Sequence, residues 1–554
     1  MRKYFLKVII TGYFLTLTSS IFASEMSDIL TEAIVNYNSP LDVQAGGVTP
    51  IRLWAVAEEP IKGVYATMWF NNPPGVSGRQ MVWNFFDFIT QQWVKKPDTP
   101  YLAAINSGRG CIAVNYYSSY KYHPFFTADV ASSNYAGDVW WPDVPFDPRN
   151  FNGQYKYVLG QEIYETWPVG GLTKNGHYHK IFTDYDGHMS GVPLAIIYNR
   201  FFIDFPSWEG YVPLVLSDDG PYYGFYADPF SKTIVTTYCR TSWDFHIIAL
   251  IDTMEGEMYY AGIPIIKDVT QFIIDKFNLP PDWFAFISDG NPFVDKDGNV
   301  HLITFLYPST FAETTYVYHW FYDLSVDTMG ATFIKYVLSP IYSSTPGMPI
   351  AGRSQIGQER GFGTLYAVWG ECHPTKGVIG SNNDTVAATQ VIFAKSKNNG
   401  RTWSHEVILL STNVPGQSDT NNLLHNPVIS PVIPHSGNLD LVYWGVYFDD
   451  DPAPSPSIVK MLVGRKEVKV EEKSSIFSKK TKINYNGRNI IFEIPYKSYI
   501  TLKLFDVSGR EINTIYKGNA KGKYNFKINK ISSGVYFLNL KTEKENINSK
   551  IIVK

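Results

Sequence analysis

A motif that recurs at a fixed spacing constrains a chain more than any local propensity, because each copy must bury its apolar face against its neighbours. Six segments of this 554-residue sequence share one pattern: a short strand-forming run, a turn with Gly or a polar pair, and a second run ending in aromatics. They read PYLAAINSGRGCIAVNYY from Pro100, PVGGLTKNGHYHKIFTDY from Pro168 and YADPFSKTIVTTYCRTSW from Tyr226. The others are PFVDKDGNVHLITFLY from Pro292, RSQIGQERGFGTLYAVWG from Arg353 and PVISPVIPHSGNLDLVYWG from Pro427. Their starts lie roughly sixty to seventy-five residues apart, the length of a four-stranded sheet with generous loops. Asp297-Gly298-Asn299 is the clearest turn, since Asp-Gly accepts the positive φ of a tight hairpin. Ser436-Gly437-Asn438 and Lys174-Asn175-Gly176 fall at matching places.

A hairpin alone cannot bury its apolar face, whereas radially stacked sheets bury both faces and leave only short edges. The expected fold is therefore all-β: a six-bladed β-propeller, or a seven-bladed one if the stretch between Tyr117 and Pro168 hides another blade. Aromatic residues at 16% favour pleated surfaces, and 42 Gly and 34 Pro punctuate the chain. Asp268 to Asn278 (DVTQFIIDKFN) is the main helical candidate, stopped at Leu279-Pro280-Pro281.

Arg2, Lys3 and Lys7 precede an apolar stretch from Val8 to Phe22 that is too short and interrupted to span a membrane comfortably. Residues 1–23 read as a secretory signal peptide with cleavage after Ala23. Export permits disulfides, yet Cys111, Cys239 and Cys372 allow one pair at most; buried free thiols are the plainer reading. The propeller is expected over 24–464, with a charged spacer at 465–482. From Lys466 onward 19 Lys/Arg face 8 Asp/Glu, although the whole chain carries a net charge of −3. That overall charge predicts no nucleic-acid partner. Residues 483–554 read as about seven short strands making a small C-terminal β-sandwich.

Two stretches carry family resemblances. SKNNGRTW, from Ser396 to Trp403, resembles the Asp-box of the sialidase superfamily: Ser396, Asn398, Gly400, Thr402 and Trp403 match in spacing, with Asn398 in the aspartate's place. Its physical content is a turn staple rather than catalysis. The tail resembles the C-terminal sorting domain of the type IX secretion system. Phe505-Asp506-Val507-Ser508-Gly509-Arg510-Glu511-Ile512 matches the first landmark and Gly518 to Lys523 the Gly-rich hairpin. Ile531-Ser532-Ser533-Gly534-Val535-Tyr536 matches the next, and Lys550-Ile551-Ile552-Val553-Lys554 the terminal strand. The resemblance implies a secretion translocon as partner, with Asp506, Gly509, Arg510, Gly534, Val535, Tyr536, Lys550 and Lys554 as signal residues. It also implies passage through the periplasm to the medium or the outer-membrane surface.

Chemistry is harder to place. A sialidase-type hydrolase needs three arginines facing a Tyr–Glu pair; Arg52, Arg240, Arg353 and Arg360 are available, but no spacing pins them. His177 and His179, two apart on one strand face with Asp184, Asp186 and His188 downstream, form a possible transition-metal set. His301 occupies the same repeat position as His179, which favours repeat packing instead. VDKDGN from Val294 lacks the closing Glu of a calcium loop and reads as a turn; DDDPAPSP from Asp449 reads as a solvated loop. Trp140 and Trp141 either stack on a ligand or cap their own blade. The expectation is thus no assignable catalytic residue, metal or cofactor, in a monomer that binds a glycan or protein; a sialidase-like glycoside hydrolase is the alternative.

Overall fold

The structure is a computed structural model and describes residues 28–553, apart from 38–50, 59, 72–78, 106, 118, 131–135, 161–164, 185, 217–222, 240–243, 254–264, 286–290, 309–313, 343–349, 362, 380–384, 415–422, 434, 437–438, 450–457, 469–481, 486–488, 528–530 and 543–545. The signal peptide, Ala23, Arg240 and Lys554 therefore lie outside the described residues. The chain divides into two compact units, Met1–Val468 and Lys469–Lys554. The first ends later than the 464 expected, because Arg465 to Val468 continue the strand Ile458–Val468 instead of starting a spacer.

In the first unit the described residues form seven sheets in chain order, antiparallel except where Val432–Ile433 pairs in parallel with the edge of the sixth. Sheet 1 holds Leu53–Glu58, Ile61–Asn71, Arg79–Asp87 and Gln92–Trp93, with Tyr101–Ile105 also paired to its third strand. Sheet 2 runs from Ser107–Val114 to Tyr155–Val158, sheet 3 from Glu165–Leu172 to Val212–Val215, and sheet 4 from Tyr223–Ala227 to Ile265–Asp268. Sheet 5 spans Phe284–Ala285 to Thr328–Leu338, and sheet 6 Ala351–Glu359 to Ser404–Leu410. Sheet 7 combines Leu423–Ile429, Leu439–Asp449 and Ile458–Val468 with the N-terminal strand Asp28–Tyr37, registered Asp28↔Arg465 to Tyr37↔Ile458. Each sheet packs on the next, and the strands of sheet 7 pack back on those of sheet 1. This is an all-β architecture of the β-propeller kind.

The six repeat segments open or supply sheets 2 to 7. The remaining sheet is made by four strands from Leu53 to Trp93, ahead of the first segment, joined by Tyr101–Ile105 from that segment's start. The stretch between Tyr117 and Pro168 hides no separate sheet: it provides Pro124–Val130, Ala136–Pro142 and Tyr155–Val158 of sheet 2. Sheet 1 lacks the repeat's Gly turn, joining Glu58 directly opposite Ile61, so the pattern search misses it.

The core lies between sheets. Trp54, Trp83, Trp141, Trp320, Trp369 and Trp444 are all buried and are the largest side chains of the core. Trp141 stacks on Phe125 at 5.0 Å and 10° and is no ligand platform; Trp140 is half-buried on the same strand. The three cysteines are buried thiols, none in a disulfide. The helix Val269–Phe277 forms as expected, with the Asp268 side chain accepting from Gln271 N and Asn278 closing it in the left-handed region.

The C-terminal unit holds five described strands rather than seven: Lys482–Tyr485, Asn489–Phe505, Glu511–Lys527, Gly534–Lys541 and Asn546–Val553. They form one sheet, not two, and its apolar side gathers Phe492, Ile494, Ile500, Leu502, Leu504, Leu538, Leu540 and Ile551. Gly518 to Lys523 is not a hairpin. It continues strand Glu511–Lys527, pairing Ile500↔Gly518 and Ser498↔Ala520, beside the register shift between Ile494 and Ser498. Glycines there let a long strand bend where a tight turn was expected.

Candidate functional site

Residues from four sheets and one short strand converge on a single cavity of about 220 Å³. Sheet 1 contributes Ala55, Ala57 and Glu58 from its first strand; Tyr116 follows the first strand of sheet 2, and Phe230 follows that of sheet 4. Glu359, Arg360 and Gly361 come from the first turn of sheet 6, and Val432 and Ile433 pair in parallel with Gln358 and Glu359. In a closed ring, a point reached by sheets 1, 2, 4 and 6 lies on the axis.

Arg360 ties this centre together. Its Nη2 donates to Asp228 Oδ1 at 2.6 Å and to the Tyr226 hydroxyl at 3.2 Å, both in sheet 4, across the axis from its own sheet. The guanidinium lies 4.9 Å from the Phe230 ring centroid and 5.4 Å from that of Phe293. Arg360 Nε and Nη1 are buried with no hydrogen-bond partner among the described residues. Burial pushes the Asp228 carboxyl up, against the pull of that guanidinium. Burial also raises the Glu58 carboxyl, with Lys121 opposing it. The Tyr116 ring lies 4.7 Å from that of Phe230, tilted by 51°, and its hydroxyl accepts from Trp54 Nε1 at 3.4 Å; burial raises that hydroxyl well above the usual phenol range, the reverse of an activated nucleophile. The pocket thus offers two aromatic faces, two carboxylates and two unused guanidinium donors.

The other arginines do not join it. Arg52 and Arg353 are buried at the opposite ends of the first strands of sheets 1 and 6, and Arg353 donates to Asn426. Among the described residues Arg360 is the one arginine lining the cavity. Sequence reading had Arg360 but neither Tyr116 nor Phe230, whose positions in turns carry no pattern.

His177 and His179 do come together, though not with the expected acids. Asp184 takes Met189 N at 3.0 Å and Ser190 N at 2.8 Å, capping its own turn. The carboxylate facing the histidines is Asp252, at the end of the third strand of sheet 4: His177 Nδ1 stands 3.0 Å from its Oδ1 and His179 Nε2 3.5 Å from its Oδ2. Thr173 Oγ1 donates to Asp252 Oδ2 at 2.5 Å, and Arg200 Nη1 to Oδ1 at 2.8 Å. The corresponding place in sheet 5 is a self-contained cap, where Asp295 accepts from Asn299 N at 2.8 Å and faces His301 Nε2 at 3.0 Å. Burial alone would raise Asp295, but the bonds from His301 and Asn299 carry it down to about 2. VDKDGN is therefore a capped hairpin turn.

The Asp-box-like stretch forms a stapled turn. Ser396 Oγ accepts from Gly400 N at 2.9 Å, Asn398 Oδ1 from Thr402 N at 2.9 Å, and Trp403 Nε1 donates to Gly400 O at 3.1 Å. Trp403 lies 5.2 Å from His319 of sheet 5, so the staple also locks two sheets. In the tail, Asp506 Oδ1 accepts from Ser508 N at 2.9 Å and Arg510 N at 3.1 Å, Arg510 Nε donates to Asp506 Oδ2 at 3.1 Å, and Gly509 takes φ 82°. Gly534, Val535 and Tyr536 start a strand, with the Tyr536 hydroxyl donating to Ser532 O at 3.0 Å. Lys550 lies on the final strand opposite Phe537.

With this geometry in place, comparison with known proteins gives the class. Residues 479–554 match the family described as "Secretion system C-terminal sorting domain". The protein thus carries a type IX sorting domain, is handled by that secretion machinery, and is secreted to the cell surface or the medium. No curated protein matches the chain. Among solved structures, a polysaccharide lyase of family PL25, an ulvan lyase, is similar at 11% identity over 81% of this chain and 98% of its own, with TM-score 0.44. The BP39L lectin from Burkholderia pseudomallei is similar at 10% identity over 74% of this chain and 99% of its own, with TM-score 0.40. A Hadza microbial sialidase, Hz136, is similar at 10% identity, 77% and 84% coverage and TM-score 0.31.

Proposed function

We propose that this secreted protein is a seven-bladed β-propeller that recognises the end of a glycan chain in its axial cavity without cleaving it. The observation that carries the reading is the cavity lining: Tyr116 and Phe230 beside Glu58, Glu359 and Arg360. A sugar ring has apolar C–H faces and a rim of hydroxyls. Aromatic faces take the former; carboxylates and the two unused guanidinium N–H groups take the latter. A cavity of about 220 Å³, below the roughly 300–1,000 Å³ of drug-sized ligand sites, suits a single sugar residue. A lone arginine, already bound to Asp228, and a Tyr116 hydroxyl with a raised pKa support binding over sialidase-type hydrolysis.

Export follows from residues 1–23 acting as a signal peptide cleaved after Ala23, and from a sorting signal in which Asp506, Gly509, Arg510, Gly534, Val535, Tyr536, Lys550 and Lys554 shape what the translocon reads. The test is a glycan array combined with a fluorogenic hydrolysis panel, run on the intact protein and on Phe230→Ala. Retention of a glycan without turnover, weakened about tenfold by the substitution, is the expected result. Turnover, or retention indifferent to Phe230, overturns the reading.

A further inference from the structure

We propose that His177, His179 and Asp252 bind one divalent d-block cation of the Zn²⁺ type, which pins sheet 3 to sheet 4. The three ligand atoms lie within 4.8 Å of one another, and Asp252 Oδ2 stands 3.1 Å from His177 Nδ1 and 3.5 Å from His179 Nε2, which brackets the roughly 3.3 Å edge of a tetrahedron with ~2.0 Å metal bonds. Two imidazoles and one carboxylate are a donor set suited to such an ion.

The surroundings fit a bound ion as well. A metal-ligating histidine holds its outer nitrogen against an acceptor, and both histidines have one to hand. His179 Nδ1 is 2.8 Å from the Tyr198 hydroxyl, and His177 Nε2 is 3.9 Å from Glu209 Oε1. A ring that gives the ion the lone pair of one nitrogen carries its proton on the other, so on binding His177 would keep a proton on Nε2, toward Glu209, and His179 on Nδ1, toward Tyr198. Arg200 holds Asp252 Oδ1 at 2.8 Å and leaves Oδ2 for the ion, while its Nε is neutralised by Glu209 at 2.5 Å. Thr173 Oγ1, 2.5 Å from Oδ2 and 3.1 Å from His179 Nε2, occupies the fourth side of the cluster.

The departure from the repeat points the same way. In sheet 5 the turn is self-sufficient, Asp295 capping Asn299 and His301 by itself. In sheet 3 the matching residue is Thr173, a second histidine is added, and the carboxylate arrives from the neighbouring sheet.

The intact secreted protein is to be purified without chelator, its metal content measured by mass spectrometry, and the chelated protein titrated with Co²⁺ and Zn²⁺. The inference predicts about one Zn²⁺ per chain. It also predicts visible Co²⁺ bands of tetrahedral intensity that Zn²⁺ abolishes, and a thermal midpoint about 5 °C higher with Zn²⁺ than after chelation. His179→Gln and, should that variant not fold, the milder His177→Gln are expected to lose the Co²⁺ bands. A folded protein with no stoichiometric metal, no Co²⁺ bands and an unmoved midpoint overturns it.

Discussion

Single side chains in this protein work mainly by being buried with or without a partner. His123 is the clearest titrating case: burial against Phe146 and Tyr120 holds it neutral, down at about 4, with its Nδ1 bonded to Pro142 O at 3.0 Å. Burial likewise takes His425 down to about 3, with Arg353 adding to it. The unfolded chain binds these protons at about 6.5 and the folded one does not. Stability is therefore full above that value and falls as pH drops from about 6.5 toward 4. His123→Asn keeps a donor without the titration; urea unfolding between pH 7 and 4 should lose about 3 kcal/mol less in the variant than in the parent. Asp295 adds a second, lower window. Its folded value near 2 means stability present above about 4 and lost as pH falls from there toward 2.

Gly400 is constrained in another way. It takes φ 78°, and a Cβ would meet the His319 ring at 1.9 Å. Gly400→Ala must both strain the turn and displace a buried ring shared by sheets 5 and 6, so thermal unfolding should show a loss of about 2 kcal/mol or more. The Ser396–Trp403 pattern was legible because its turn chemistry is local. The cavity was not: Tyr116, Phe230 and Arg360 come from three separate sheets and meet only once all seven are packed in order, and no sequence spacing encodes that. Asp252 escaped for the same reason, since its partners lie 75 and 73 positions earlier in the numbering of the chain.

At the level of elements, the repeat was readable wherever a Gly or Asp-Gly turn marked it, as at Asp297-Gly298. It failed at sheet 1, whose first two strands join without one; separately, the Gly-rich hairpin expected at Gly518 to Lys523 in the tail is a bent strand, because glycines there bend the chain rather than turn it. The N-terminal strand Asp28–Tyr37 had no signature at all, because its partner Ile458–Val468 is supplied by the far end of the unit. That pairing closes the ring non-covalently, with Ala33 and Ile34 fully buried beneath it. Ile34→Ala should cost about 2–4 kcal/mol by chemical denaturation. Ile34→Asp should do worse, raising proteolysis between sheets 7 and 1 before elsewhere.

Across the whole molecule, an all-β unit of the propeller kind carries the proposed binding cavity, and the second unit carries the sorting domain. The two are compact by themselves: unit one has its own inter-sheet aromatic core, and unit two its own cluster around Phe492, Leu502 and Leu540. A self-contained tail is what a translocon needs if it is to read a signal on cargo that has already folded. Deleting Ile483 to Lys554 and following the remaining protein in periplasm, membrane and medium tests this most directly. The account predicts a folded ring, still resistant to proteolysis, held in the periplasm. Release of the shortened protein at the normal level would contradict it.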